Sequence, residues 1–337
     1  MATFDIIKLH FTSALHLSDR RDDYGMSLKS LQSDTLYAAL TACLAKTEEY
    51  LPADGDLGFT ISSLFPYYQT TEGSTPVYFL PKPLQARLPE MKDAAMAKKI
   101  KKVQWIDSRL YAKVLRGESL LGDSDKYAGC IQSAYLTESA LPADVEGGRE
   151  FVRSEVFQRV EKEDRTGKDD ALPYYFDRIL FKDYSGLYFI VTGDTERLEK
   201  AMKLLALEGI GSDRNVGFGF FEFEKGTVDI DIPAEADFLV SLSLLIPETK
   251  DQLDTLLASD KVAYDFERRG GWITTAPHKP LRKNAIYGFL PGSVFCNIGK
   301  ECIGRIVNLE PTIDGVSMTR HPVWRNGRSI MLPINLK

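Results

Sequence analysis

Gly209-Ile-Gly211-Ser-Asp-Arg-Asn-Val-Gly217-Phe-Gly219 is the stretch that decides the fold, because of the elements on either side of it. Upstream, apolar residues recur at helical spacing after Asp194, which predicts a helix that ends at this loop. Downstream, the aromatic residues of 218–223 predict a strand. Glycine loops that bind nucleotides lie in the reverse order, between a strand and the helix that follows it. The loop is therefore not a nucleotide site, and its glycines let the backbone approach another group closely.

Working outward, the rest of the first 232 residues follows a matching pattern of strands and helices. Strands are predicted at 4–11, 59–65, 76–80 and 186–192, and a helix is predicted from Ser33 onward. A basic segment begins at about residue 85, with a helix predicted over 108–116, and two extended arms follow over 151–183. Without this insertion (about 85–185), the order is compatible with the ferredoxin-like β-α-β-β-α-β pattern.

A boundary is predicted at 233–237, and the remainder is rich in short strands and turns. Residues 238–246 alternate serine with leucine, as a half-buried strand does. In the stretch 323–330, the Asn326-Gly327 pair predicts a hairpin with a type I′ turn.

Composition limits the class of protein. The chain has 337 residues, 44% of them hydrophobic, which supports a packed core. No run approaches the ~20 apolar residues that span a bilayer, and no signal peptide is visible at the start. The four cysteines form no CxxC pair, so neither a zinc site nor a disulfide framework is expected. This use of cysteine favours a protein of the reducing cytoplasm. The net charge is −6, yet residues 98–116 carry +6, so a basic patch on an acidic body is predicted.

The glycine loop after the last helix resembles that of the RAMP superfamily of CRISPR proteins. Three further stretches are similar to the fourth-subunit family of type III-A (Csm) effector complexes: His10–Asp19 with Asp23-Tyr-Gly25, Ser33-Asp34-Thr-Leu-Tyr-Ala, and His321–Pro333. The resemblance implies an α+β fold with two ferredoxin-like (RRM/RAMP) domains. The first would be 1–232 with its insertion and β-hairpin, and the second, degenerate and β-rich, 233–337.

The resemblance also implies a non-catalytic subunit that grips the 5′ repeat-derived tag of a guide RNA and caps one end of the complex. Its expected partners are that guide RNA, a large polymerase-like signalling subunit and a backbone subunit, with target RNA met only indirectly. No cofactor, metal, membrane contact or homo-oligomer is expected. Cations would meet phosphates, and aromatic rings would stack on unpaired bases.

The residues predicted to contact RNA fall in four regions, and each has an ordinary structural interpretation. The loop glycines could simply shape a turn, and the charged segments could be solvated surface. In chain order, the predicted contacts are His16, Arg20, Arg21, Tyr24, Lys29, Arg153, Arg159, Arg165, Lys168, Arg178, Gly209, Gly211, Arg214, Asn215, Gly217, Gly219, Lys279, Arg282 and Lys283.

Two alternatives to the RNA-binding subunit stay open. Related repeat-processing nucleases use a histidine near position 16, so His16 is the one catalytic candidate for a metal-independent endoribonuclease. A protein-only assembly adaptor is the second alternative. Asp34 is interpreted as a helix N-cap, worth about 1 kcal/mol, instead of a catalytic aspartate.

Overall fold

The computed structural model describes residues 1–18, 24–47, 50–86, 94–118, 120, 131–132, 134–139, 151–161, 172–273, 275, 277–278 and 281–336. Helices in this part of the chain are α1 (Ser33–Lys46), α2 (Ala94–Lys101), α3 (Ser108–Leu115), α4 (Thr195–Glu208) and α5 (Lys250–Leu256). The predicted helices at 33, 108–116 and 195 are thereby confirmed. None of the described helices is long and apolar enough to cross a membrane.

The strands divide into those before and after residue 233. The first group is β1 (Ala2–Phe11), β2 (Phe59–Ile61), β3 (Phe65–Tyr68), β4 (Val77–Pro81), β5 (Trp105–Asp107), β6 (Ile131–Gln132), β7 (Tyr135–Leu136), β8 (Val152–Glu161), β9 (Leu172–Phe181), β10 (Ser185–Gly193) and β11 (Phe221–Ile230). The second group is β12 (Phe238–Ser241), β13 (Phe266–Arg269), β14 (Ile286–Phe289), β15 (Val294–Cys296), β16 (Cys302–Ile303), β17 (Ile306–Asn308), β18 (Thr312–Ile313), β19 (Val316–Ser317), β20 (Trp324–Asn326) and β21 (Ser329–Ile334).

The main sheet has the order β11-β1-β10-β3-β4-β5-β7-β6, with β2 also paired to β10. Strand β1 is second from one end of this sheet, and it runs antiparallel to both β10 and β11. The apolar faces of α1 and α4 pack against the buried residues of these strands, and the two helices contact each other. In chain order, β1, α1, β2 with β3, β10, α4 and β11 follow the predicted sequence of elements.

The insertion is more integrated than its basic composition predicts. Strands β5, β6 and β7 extend the main sheet, and Trp105 and Ile106 of β5 are buried in the core. The segment 98–116 therefore contains buried apolar residues as well as the charged residues that dominate its composition. The predicted extended arms are confirmed as the hairpin β8–β9, paired over ten positions from Val152–Phe181 to Glu161–Leu172.

Three predictions about strands are corrected. The strand after the glycine loop begins at Phe221, not at 218, and only 238–241 of the predicted strand 238–246 is regular. The predicted 323–330 hairpin is wrong, because β20 pairs with β17 while β21 pairs with β12 and β16. Neither Asn326 nor Gly327 has the positive φ of a type I′ turn. Instead Asn326 is fully buried, and Gly327 donates its N–H to the carbonyl of Arg305 at 3.0 Å.

The part after residue 233 shares much of its core with the first part. Its central sheet, ordered β15-β12-β21-β16, contributes Val240, Val294 and Leu332 to the hydrophobic cluster that fills the first part, and Leu242, just after β12, joins the same cluster. A smaller cluster, which includes Leu245, Leu256 and Phe295, lies wholly within the second part. The two parts are thus joined by buried apolar contact.

Candidate functional site

The glycine loop (209–220) closes on itself immediately after α4. Gly209 ends the helix with a positive φ of 76°, and the N–H of Ile210 donates to the carbonyl of Gly219 at 2.9 Å. Gly219 has a φ of +77°, and a Cβ there would lie 1.9 Å from the carbonyl oxygen of Ile210. Only glycine allows this close approach, so Gly219 is a structural requirement of the loop.

The chain segment after β1 lies against this loop through backbone hydrogen bonds. Gly219 donates its N–H to the carbonyl of Ala14 at 2.8 Å, and Ser212 donates to the carbonyl of His16 at 2.9 Å. A Cβ on Gly211 would lie 2.4 Å from that His16 carbonyl. Two of the regions predicted to contact RNA are therefore adjacent in space.

The base of the β8–β9 hairpin lies against the same segment. Leu15 and Ile179 exchange two backbone hydrogen bonds, of 2.8 and 2.7 Å. The buried Asp177 joins three stretches: its carboxylate accepts from the N–H of Ser27 at 2.8 Å and from the hydroxyl of Ser154 at 2.6 Å, and its N–H donates to the carbonyl of Tyr24. Residues 12–18 and 24–28, the hairpin strands and the glycine loop thus form one junction.

An arginine on the hairpin crosses to the glycine loop. The Arg159 guanidinium carbon lies 3.8 Å from the ring centre of Phe176, and the rings of Phe157 and Phe218 lie at 5.2 and 5.3 Å. Its Nη1 donates to the carboxylate of Asp213. A cation held against ring faces gains electrostatic attraction, so the position of this side chain is well defined.

The exposed groups of the junction are a cation at the loop tip and rings on and beside the hairpin. At the loop tip, Arg214 and Asn215 are exposed, and Arg214 forms no ion pair within the part of the chain that the structure describes. Tyr24 is 39% exposed and lies beside Tyr174, with ring centres 5.6 Å apart, while Tyr175 is 67% exposed. The loop tip thus offers a phosphate-binding cation, and the hairpin and the segment beside it offer exposed rings for base stacking.

The predicted contact at His16 is corrected, because its side chain is fully buried. The ring lies 4.5 Å from that of Phe176, and Nδ1 is 2.7 Å from the backbone carbonyl of Asp177. Its Nε2 is buried without a hydrogen-bond partner. A strand lying on the outer surface cannot reach this imidazole in the structure. The part of His16 that contributes to the junction is its backbone carbonyl, which accepts a hydrogen bond from the N–H of Ser212.

The other predicted cations are distributed differently. Arg178 and Arg153 both pair with Glu155 on the hairpin, the former at 2.8 Å. Arg282 stacks on Trp272 at 4.7 Å in the second part of the chain, and no contact in the described ranges joins it to the glycine loop. Lys29 is half-buried. The remaining predicted contacts lie outside the described residues: Arg20, Arg21, Arg165, Lys168 and Lys279.

Asp34 is not the helix cap that its position predicts. Gln32 precedes α1 without a side-chain cap, and the Asp34 carboxylate is fully buried, accepting from Arg269 at 2.9 and 3.1 Å and from Arg325 at 2.6 Å. Burial alone would raise the pKa of Asp34, but the guanidinium groups of Arg325 and Arg269 hold it below 3.8. The aspartate therefore links α1 to the second part of the chain.

Lys283 lies near this ion cluster, away from the glycine loop. Burial, reinforced by Arg325 and Arg269 and opposed by Asp34, lowers the pKa of its amine to about 8. The groups that sequence reasoning missed are Asp177, Asp213, Arg269 and Arg325, because their roles depend on partners far away in the chain. Alternation along β9 could have indicated that Phe176 and Asp177 face opposite ways.

Within the described residues, no group of three or more histidine, cysteine, aspartate or glutamate side chains could hold a metal ion. The chemical groups that the junction offers to an anionic strand are guanidinium groups and rings.

Comparison with known proteins shows what this chain is similar to. A family model, the CRISPR Csm4 C-terminal domain, matches residues 234–334. The CRISPR system Cms protein Csm4 of Thermococcus onnurineus is 28% identical over 260 residues, which is 72% of this chain and 75% of that protein. The resemblance to Csm4 is confirmed. A second Csm4, from Mycobacterium tuberculosis, is 30% identical over 173 residues, covering 50% of this chain and 53% of the relative.

Solved structures show that the Csm4-like chain shares its fold with type III-A proteins. A chain of the Csm3–Csm4 subcomplex in the type III-A CRISPR-Cas interference complex matches with a TM-score of 0.61 and 19% identity, covering 98% of this chain and 99% of the other. A chain of the Csm1–Csm4 cassette in complex with cA4 matches with a TM-score of 0.56 and 18% identity over 100% and 99%. The similarity extends over the whole mixed α/β, strand-rich fold.

Proposed function

We propose that this chain is the Csm4-type subunit of a type III-A CRISPR complex and that it holds the single-stranded 5′ tag of the guide RNA without cutting it. Its neighbours would be a Csm1-type large subunit and a Csm3-type backbone subunit, since the matched structures pair Csm4 with each of these. The chain would cap the complex at the end where the large subunit binds.

The observation that carries this proposal is the junction of three distant segments. Residues 12–18 and 24–28, the strands β8 and β9 and the glycine loop come together through the contacts of Leu15, Asp177, Ser212 and Arg159. Recognition of an unpaired strand needs cations for phosphates and ring faces for bases on one surface. The exposed Arg214 and Asn215 at the loop tip and the exposed Tyr24 and Tyr175 on the adjoining segments supply both kinds of group.

The domain organisation belongs to the same proposal. The order β11-β1-β10 with β2 and β3, together with α1 and α4, supports a ferredoxin-like first domain over 1–232. The Csm4 C-terminal family match at 234–334 supports a boundary near 233 and a second, degenerate domain to 337.

Replacing Arg214 with glutamine is expected to weaken binding of guide RNA. The exposed guanidinium would neutralise one phosphate, so the affinity should fall about 3- to 10-fold, and the slope of log affinity against log salt should decrease by about 0.7. Fluorescence anisotropy measures the affinity and its salt dependence, with a labelled RNA of the CRISPR repeat from the same genome as this chain. The measurement is made on the chain alone and on the chain assembled with its partner subunits.

Lys250→Gln provides a control with the same change of charge, at an exposed position at the start of α5. It should leave affinity and slope unchanged. Equal effects of the two variants would show that only net charge matters. If the assembled complex binds RNA equally well with and without this subunit, the protein-only adaptor is favoured.

The endoribonuclease alternative gives a separate expectation for His16. Because its imidazole is fully buried and Nδ1 contacts the Asp177 carbonyl at 2.7 Å, it is not placed to transfer protons to RNA. Incubation of the purified chain with unprocessed repeat RNA and EDTA should give no cleavage, and His16→Gln should not change the products. Cleavage that disappears in that variant would overturn the non-catalytic assignment.

A further inference from the structure

The ion pair between Arg159 and Asp213 lies at the centre of the junction, between the hairpin and the glycine loop. Both side chains are 25% exposed, so the pair can be reached from solvent. The guanidinium of Arg159 is stacked on Phe176, with Phe157 and Phe218 on its flanks. Such a cation keeps its charge and attracts an anion to its exposed edge.

The carboxylate of Asp213 is presented by an unusual backbone. Asp213 has φ 58° and ψ 24°, the left-handed region that few residues other than glycine, asparagine and aspartate adopt readily. Its carbonyl accepts hydrogen bonds from the N–H groups of Val216 and Phe218, at 3.0 and 3.2 Å. The loop therefore holds the carboxylate at one place, next to the exposed tip that carries Arg214.

We propose that the Asp213 carboxylate occupies the place of an RNA phosphate. In the free protein, Arg159 is neutralised by Asp213; when a single strand binds, one of its phosphates takes the guanidinium and the carboxylate is displaced towards solvent. This inference rests on the proposed RNA-binding function. It assigns Arg159 as a phosphate-binding group and Asp213 as the competitor that limits affinity.

The exchange is chemically balanced. A guanidinium presents the same donor fork to a carboxylate and to a phosphate, and a phosphodiester carries the single negative charge that the aspartate carries. The ring cluster keeps Arg159 in position throughout, so the guanidinium itself need not move. A strand without correctly spaced contacts elsewhere could not displace a tethered carboxylate, so the pair would favour RNA that also contacts the loop tip and the exposed tyrosines.

Asp213→Asn tests this inference, because asparagine keeps the left-handed backbone and removes the charge. Affinity for the labelled repeat RNA should rise about 3- to 30-fold, since a competing like charge is removed. The slope of log affinity against log salt should steepen by up to about 0.7, because the charge of Arg159 is no longer offset by a displaced carboxylate beside the strand. In an Arg159→Gln background, the same change should have no effect.

The controls separate the competing outcomes. Asp254→Asn, an exposed position on α5, makes the same change of net charge and should leave binding unchanged. Asp213→Gly, which also tolerates positive φ, should reproduce the gain if Asp213→Asn folds poorly in a thermal melt.

If the wild-type complex binds RNA and both Asp213 variants bind equally well or more weakly, the pair is only structural and the inference is overturned. If the wild type, the Asp213 variants and the double variant all fail to bind, the proposed function fails, and the inference fails with it.

Discussion

Asp34→Asn is expected to destabilise the folded chain by about 3–5 kcal/mol, because it leaves two largely buried guanidinium groups without their shared anion. The Asp34 carboxylate is fully buried and pairs with Arg269 and Arg325, whose side chains are 16% and 6% exposed. The urea-induced unfolding transition, followed by tryptophan fluorescence, measures the loss. Since the aspartate joins α1 to β13 and β20, unfolding of the variant should begin in the second part of the chain.

The pH dependence of this effect has a defined direction. The pKa of Asp34 is lowered below 3.8 in the folded state, so its stabilising effect is complete above about pH 3.8. It is lost as the pH falls through the lower folded-state pKa. The difference in unfolding free energy between wild type and Asp34→Asn should therefore be constant from neutral pH to about pH 4 and should narrow only below that.

Glu267→Gln is the matched control, because Glu267 contacts the same Arg269 at 3.0 Å but is 36% exposed. A partly exposed pair contributes little, so this variant should lose less than about 1 kcal/mol. Comparable losses in the two variants, or a loss below about 1 kcal/mol in both, would contradict the account of Asp34 as the buried anchor between the two parts.

Local patterns in the sequence predicted the elements that depend on neighbours in the chain. The helix after Asp194 is found as expected, with the Asp194 carboxylate accepting from the N–H of Arg197 at 3.0 Å. The hairpin at 151–183 and the order of strands and helices in the first 232 residues also follow from alternation and turn residues. In each case the deciding pattern lies within the element itself or in the turn residues beside it.

The errors arose where a distant partner overrides the local preference. Asp34 has the sequence position of a cap, but Arg269 and Arg325, more than two hundred residues away, bind it instead. His16 lies in a stretch of mixed charge, but Phe176 and Asp177 cover it. The Asn326-Gly327 pair has the composition of a hairpin turn, yet a Cβ on Gly327 would lie 2.4 Å from the Cβ of Ile246, so packing fixes its place.

The candidate site is predicted only in part by the sequence, for the same reason. The sequence indicated which segments carry cations and rings, since these are compositional features. It could not indicate that Arg159 faces Asp213 instead of solvent, because the pair joins positions 54 residues apart on separate elements. Nor could it separate glycines that a close backbone contact requires from those at an open loop tip.

Gly219→Ala is also expected to have a large effect on stability and on RNA affinity, because Gly219 is one of the glycines that a close backbone contact requires. Alanine at this position would need a φ of +77° and would place its Cβ 1.9 Å from the carbonyl oxygen of Ile210. The positive φ costs roughly 1–3 kcal/mol and the forced displacement roughly 1–3 kcal/mol more, so a loss of about 2–6 kcal/mol is expected. The displacement also breaks the hydrogen bonds that join the loop to Ile210 and Ala14.

Gly217→Ala is the matched control, because Gly217 also has a positive φ, +96°, but a Cβ there meets nothing within 4 Å. It should cost about 1–2 kcal/mol and leave the junction intact. Thermal unfolding and RNA anisotropy on both variants separate the effects. Gly219→Ala should lose about 2–6 kcal/mol of stability and at least about tenfold in RNA affinity. The RNA affinity of Gly217→Ala should stay within about threefold of wild type. If the two variants unfold alike, the close approach at Gly219 is not what holds the loop. If Gly219→Ala is unstable but binds RNA as well as wild type, the loop is a structural turn and the strand binds elsewhere.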